Sequence, residues 1–248
     1  MKRWAILVPM VMTLAIAMPS TARAAAFLLV DFDGAVVATQ PGFTTFEKPG
    51  GVGPATHTYG GITVTLTGLG TFAGGFADQF GFAPTNSGAF TFADLYRDFV
   101  FNNSGGTIHL TIDGILANTD YQLKLYDYEG FIGTNFATSV TNAFGATPGS
   151  QTSGSAGQVT YNPNATLTAN DQASFTGIWK SSSTTLNLDI SFVADDFITG
   201  GYDLVALNGF ELSLVDQGPG GPSVPEPASL LLLGTGLAAM VARFTKRA

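Results

Sequence analysis

The sequence predicts an all-β protein: an antiparallel jelly-roll-like β-sandwich flanked by an N-terminal signal helix and a short C-terminal transmembrane helix. Three observations carry this expectation. Runs such as Ile62-Thr-Val-Thr-Leu-Thr67 and Leu186-Asn-Leu-Asp-Ile-Ser-Phe192 alternate with period two, the pattern of a sheet with one buried face. Between residues 26 and 215 no stretch of ten or more keeps a capped helical period, and Gly, Asn, Asp and Pro punctuate the short apolar runs. Residues 4–18 and 228–242, by contrast, carry no charge, so part of the 45% hydrophobic content is terminal.

The N-terminal element follows from its order of residues. Met1-Lys2-Arg3 is a basic start, residues 4–18 an apolar core, and Ala22, Ala24 and Ala26 supply small-x-small sites, so residues 1–24 read as a secretory signal peptide cut after Ala24 or Ala26. Residues 25–217 form one sandwich domain, with strands expected over 26–32, 62–67, 98–102, 107–112, 120–128, 173–179, 185–192 and 204–215. Most of the 20 Phe can fill its core. Residues 90–98 can hold one helical turn, while 68–88 and 133–164 read as long loops or weak strands. Gly218 to Ser223 has linker composition, and residues 224–248 form a C-terminal segment of another kind. There Val224-Pro225-Glu226-Pro227 precedes the apolar stretch and a basic end, Arg243, Lys246 and Arg247. A helix over 228–242 is about 22 Å long against roughly 30 Å of hydrocarbon, a marginal span. Its basic end belongs in the cytoplasm, which puts the domain on the far side of the inner membrane.

Charge excludes several functions. Within the middle, Lys48, Arg97, Lys124 and Lys180 stand against 17 acidic residues, a net of −13 that the overall −8 understates. No basic stripe is present to neutralise phosphates, so no nucleic acid partner is expected. With zero Cys there are no disulfides, thiolate metal sites or cysteine nucleophiles, and two His leave little for an imidazole site.

The C-terminal residues resemble the PEP-CTERM sorting signal of Gram-negative bacteria, recognised by the membrane enzyme exosortase. Val224 to Pro227 match its motif, the Leu/Gly/Ala stretch its short helix, and residues 243–247 its basic stop. The resemblance implies export through the secretion machinery, a transient stay in the inner membrane, processing by exosortase, and delivery to the cell surface or extracellular matrix of cells making exopolysaccharide. Two prolines stiffen the tetrapeptide into an extended segment that displays Glu226. In the middle, Leu110 to Tyr126, Ser174 to Trp179 and Ala206 to Leu214 resemble strands of galactose-binding-like and malectin-like jelly rolls, which also begin with a strand such as Leu29-Val-Asp-Phe-Asp-Gly34.

Candidate sites are fewer. Asp31 and Asp33 fall two apart on a strand and so share a face. The jelly-roll resemblance implies a structural calcium between first and last strands, bringing in Asp203 or Glu211. A sugar platform would use Trp179, Tyr126, Tyr128 or Tyr202. Asp195-Asp196 reads as a solvated turn, His57 as an exposed loop residue, His109 as part of a polar strand face, and Arg97-Asp98 as a local ion pair. No Gly-x-Ser-x-Gly, His-Glu-x-x-His or phosphate loop occurs, so no catalytic residue is assigned and the chain is not expected to be an enzyme. The expected function is a surface or matrix protein associated with exopolysaccharide and biofilm; the alternatives are a carbohydrate-binding module and a glycan hydrolase.

Overall fold

The computed structural model of the chain describes residues 27–33, 38–47, 53–70, 75–78, 83–102, 106–130, 139–148, 153–195 and 204–215. The signal peptide with Ala22, Ala24 and Ala26, the linker, the sorting segment, Asp196, Tyr202 and Asp203 lie outside the described residues. Among the described residues there is no α-helix, and none long and apolar enough to cross a membrane.

Fifteen strands are described, in chain order β1 (Leu28–Asp31), β2 (Thr44–Thr45), β3 (Ala55–Tyr59), β4 (Ile62–Thr67), β5 (Phe76–Asp78), β6 (Asp98–Asn102), β7 (Thr107–Asp113) and β8 (Asp120–Tyr126). There follow β9 (Val140–Ala146), β10 (Ser153–Gly154), β11 (Gly157–Tyr161), β12 (Ser174–Lys180), β13 (Thr185–Asp195), β14 (Val205–Leu207) and β15 (Gly209–Leu214). They make a first sheet of order β10-β12-β8-β15-β1-β2, a second of order β11-β9-β13-β7-β4-β3, and a small third, β14-β6-β5. All pairs are antiparallel except β1 with β2.

Alternation decides which faces meet. In β4, β7 and β13 the residues Val64, Leu66, Ile108, Leu110, Ile112, Leu186, Leu188 and Ile190 are buried, while the Thr, His, Asn and Asp between them are not. They join Leu28, Val30, Leu123, Leu125, Phe210 and Leu212 of the first sheet in one core. Each such side chain contributes about 1.5–3 kcal/mol relative to exposure. Phe144 of β9 stacks on Phe175 of β12 at 5.4 Å, tying the sheets together. The outward residues of the second sheet form polar rungs: Thr56 with Thr65 at 3.1 Å, Thr111 donating to Asn187 at 2.8 Å, and Thr107 with Ser191 at 2.9 Å.

The two ends of the sandwich differ. Asp113 faces Thr185, Asp120 faces Lys180, and Leu214 faces Tyr121, so the 114–119 and 181–184 loops and both ends of the domain's chain share one end. Asp31, Tyr126, Gly209, Val140 and Tyr161 mark the other, the loop end.

Several expectations shift. The C-terminal strand is split at Asn208, and β8 stops at Tyr126, leaving Tyr128 beyond it. His57 lies on edge strand β3, not in a loop. Arg97 turns to Asp78, Nε to Oδ1 3.7 Å, because Asp98 is buried. Residues 92–97 make the expected single turn, with Tyr96 N–H on Phe92 O at 3.1 Å. Of the two readings of 68–88 and 133–164, the weak strands are found: they contain β5, β9, β10 and β11, whose Gly, Thr and Ser give weak alternation and which are fixed by pairing to neighbouring strands.

Candidate functional site

The loop end is built on an aromatic layer outside the first sheet. Tyr126 points outward from β8 yet is buried, because Phe43, Phe92 and Tyr96 pack around it with ring centroids 6.1, 5.7 and 5.8 Å away. Its hydroxyl donates to Glu211, and the Lys124 ammonium stands 5.9 Å from its ring. Burial and the Glu211 carboxylate push the Tyr126 phenol far above its ordinary value.

Asn208, wholly buried, ties this layer together with all four of its polar groups. Its N–H donates to Tyr126 O at 2.8 Å, its carbonyl accepts from Phe32 N–H at 2.8 Å, its Oδ1 accepts from Tyr128 N–H at 2.6 Å, and its Nδ2 donates to Asp98 O at 2.7 Å.

Asp31 ends β1 opposite Gly209 and is 1% exposed. Its Oδ2 accepts the Gln40 N–H at 2.7 Å, while its Oδ1 has no hydrogen-bond partner. Burial above all, with the charges of Asp33, Asp98 and Asp94, raises its carboxyl to about 8 against the lowering effect of Gln40. Of the expected calcium ligands, Asp31 thus keeps one unused oxygen, whereas Glu211, one rung along, is engaged by Tyr126. Asp33 lies past the end of the strand and is itself buried. For a calcium ion the unused Asp31 Oδ1 is a fitting oxygen ligand, but among the described residues no three carboxylate or imidazole groups converge on one point, so water and carbonyl oxygens would complete its shell.

Asp127, just past β8 at the same loop end, is another buried carboxyl. Asp127 accepts from Asn142 Nδ2 at both oxygens, 3.1 and 2.9 Å, and burial, only partly offset by that bond, raises it to about 8. Asn142 Oδ1 is left without a partner. Sequence reasoning missed this pair, since Asn142 lies in a stretch without clear alternation.

Of the expected platform residues, Trp179 is corrected: its indole is 0% exposed, packed edge-on to Phe175 at 5.9 Å and over Gly177 inside the sandwich. Tyr128 lines an open cavity of about 300 Å³ between residues 83–85 and Pro163–Leu167, with its hydroxyl on Pro163 O at 3.1 Å. Burial raises its phenol to about 12, so it stays protonated and a donor. Thr85, Asn164 and Thr166 add polar groups to the lining. The cavity therefore offers hydrogen bonds and an aromatic edge, and among the described residues its lining holds no carboxylate or imidazole.

The fold defines a β-sandwich domain, and the chain continues past it into a C-terminal segment. The PEP-CTERM protein-sorting motif matches residues 223–247, so the chain carries that sorting signal. A comparison with curated proteins finds no match. Among solved structures, the chain is similar to the CBM22-1 xylan-binding domain from Paenibacillus barcinonensis Xyn10C, at 13% identity and TM-score 0.30, covering 66% of this chain and 88% of that one. It is also similar to TmCBM61 in complex with beta-1,4-galactotriose, at 8% identity and TM-score 0.30, covering 65% and 87%. A third is the C-terminal domain of a chitobiase from Bacteroides fragilis, at 16% identity and TM-score 0.28, covering 64% and 97%.

Proposed function

We propose that this is an exported protein which exosortase processes at Val224–Pro227 and whose sandwich domain then works at the cell surface as a non-catalytic component of an exopolysaccharide matrix. The sorting motif at 223–247 is the observation that supports it. The Glu226 carboxylate, displayed between two prolines, is read by a basic group of exosortase through a charge-assisted hydrogen bond. Mass spectrometry of the mature C-terminus, in cells with and without exosortase, tests this. Wild type loses its tail only with exosortase and Glu226→Gln retains it; equal processing of both chains would remove the charge-reading step, and tail loss without exosortase the whole route.

A glycan-binding role is the second reading, favoured by the cavity at Tyr128. Binding to exopolysaccharide fragments should fall about tenfold in Asn164→Ala, a residue of that cavity's lining, and no binding by either protein would end this reading. A structural calcium at Asp31 belongs to the same proposal, supported by its buried, unused Oδ1. Millimolar calcium should raise the melting temperature of the wild type and leave Asp31→Asn unchanged. No shift in the wild type sinks it.

A further inference from the structure

Phe27, just before β1, is 44% exposed, and Leu116, between β7 and β8, is 64% exposed. Both gather about Tyr121 at the end of the sandwich opposite the cavity. The Phe27 ring meets the Tyr121 ring edge-on at 6.0 Å, and Tyr121 Oη accepts the Leu116 N–H at 2.7 Å. Leu116 is firmly held. The N–H groups of Gly114 and Ile115 donate to Thr184 O at 3.0 and 3.2 Å, Asn118 N–H donates to Ser181 O at 2.8 Å, and Ile115 is buried beneath. A leucine fixed outward in this way presents apolar area to a partner with little further ordering cost. Ile178, 48% exposed, stands two residues from the same end on β12; the other exposed large apolar residue among those described, Val193, lies toward the far end of β13.

The chain itself indicates what covers this surface. β15 ends at Leu214 opposite Tyr121, and Val215 N–H donates to Asp120 O at 3.0 Å. Only residues 216–222 then separate the domain from the sorting motif, whose uncharged stretch begins at 228. The 13 residue steps from 215 to 228 can span at most about 45 Å. The tail therefore leaves the domain from its Tyr121 end and not from the loop end.

We propose that Phe27 and Leu116, on either side of Tyr121, form a lipid-facing surface that enters the bilayer interface while the tail is attached and turns the loop end with its cavity outward. This rests on reading residues 223–247 as a membrane-anchored sorting segment. Tethering makes a contact effective that would be weak for a free domain, because it sets a high local concentration of lipid. Two side chains alone bury too little to hold the domain once the tail is gone, so removal of the tail releases it.

The absence of cysteine allows a direct test. Full chain carrying Leu116→Cys, or Thr91→Cys at the loop end as control, is isolated from membranes of cells lacking exosortase and labelled with an environment-sensitive maleimide. It is then reconstituted in phosphatidylethanolamine–phosphatidylglycerol vesicles with shallow doxyl-lipid quenchers. Unchanged melting temperatures check folding, and vesicle flotation reports tail insertion separately. The expected result is severalfold stronger quenching at 116 than at 91, lost after proteolytic removal of the tail. Flotation with equal quenching at both positions overturns the proposal and leaves the sorting reading standing. Failure to float overturns both.

Discussion

Single side chains carry unusual weight where polar groups are buried. Asn208 satisfies the Tyr128 N–H and the Asp98 carbonyl through its side chain. Asn208→Ala should therefore cost about 2–4 kcal/mol, measured by urea unfolding, since two buried backbone groups lose their partners; a loss under about 0.5 kcal/mol would show that the loop end does not depend on it. Asp127 makes a pH-dependent contribution. Its carboxyl ionises near 3.8 when unfolded but holds its proton to about 8 when folded, so the folded state binds the extra proton and stability falls as pH rises between those values. Asp127→Asn removes this slope and lets an amide donate to the unused Asn142 Oδ1, so the variant gains on the order of 1–3 kcal/mol at pH 8 and nearly nothing at pH 4. Parallel pH–stability curves for the two proteins would refute the assignment. The sequence singles out neither residue: Asp127 falls within the strand expected over 120–128 and Asn208 within the one over 204–215, and only tertiary contacts bury their polar side chains.

At the scale of elements, the period-two runs were read correctly because their alternation is long enough to fix one face. Ile62–Thr67 is such a run and has the bounds expected for it; Asp98–Asn102 also has its expected bounds, but as a strand buried on both faces and not through alternation. β3 was missed although Tyr59-Gly-Gly-Ile62 offered the two-residue hairpin signal; Gly60 and Gly61 take φ of 56° and 98°, as such a turn requires. β9 and β11 had no comparable signal, because Gly145, Gly157 and Asn142 interrupt the pattern and the strands exist by pairing with β13. The hairpin also packs against its neighbour. Gly114 has φ +85°, and a Cβ there would stand 2.2 Å from Gly61 O, so Gly114→Ala should cost at least about 2 kcal/mol, combining backbone strain with a clash against backbone. Gly88→Ala, at φ +61° with open space around it, should cost only about 1 kcal/mol. Equal thermal shifts for the two would mean that the loop contact contributes nothing.

For the whole molecule, charge and chain direction matter most. The middle of the sequence carries −13, which disfavours anionic polymers by repulsion, so an acidic polysaccharide should co-sediment with the domain only when divalent cations are present and should be released by EDTA; retention in EDTA at low salt would contradict this. The sequence by itself determined the all-β class, the sorting tail and the acidity, because period, ordered local motifs and composition are properties of neighbouring residues. Only the tertiary structure decided that Trp179 fills the core while Tyr128 borders a cavity, that Glu211 serves Tyr126 while Asp31 is buried against the Gln40 N–H, and that both ends of the domain emerge beside Tyr121. Those outcomes depend on strand order and on which loops cover the first sheet, contacts between residues tens of positions apart that local alternation does not encode.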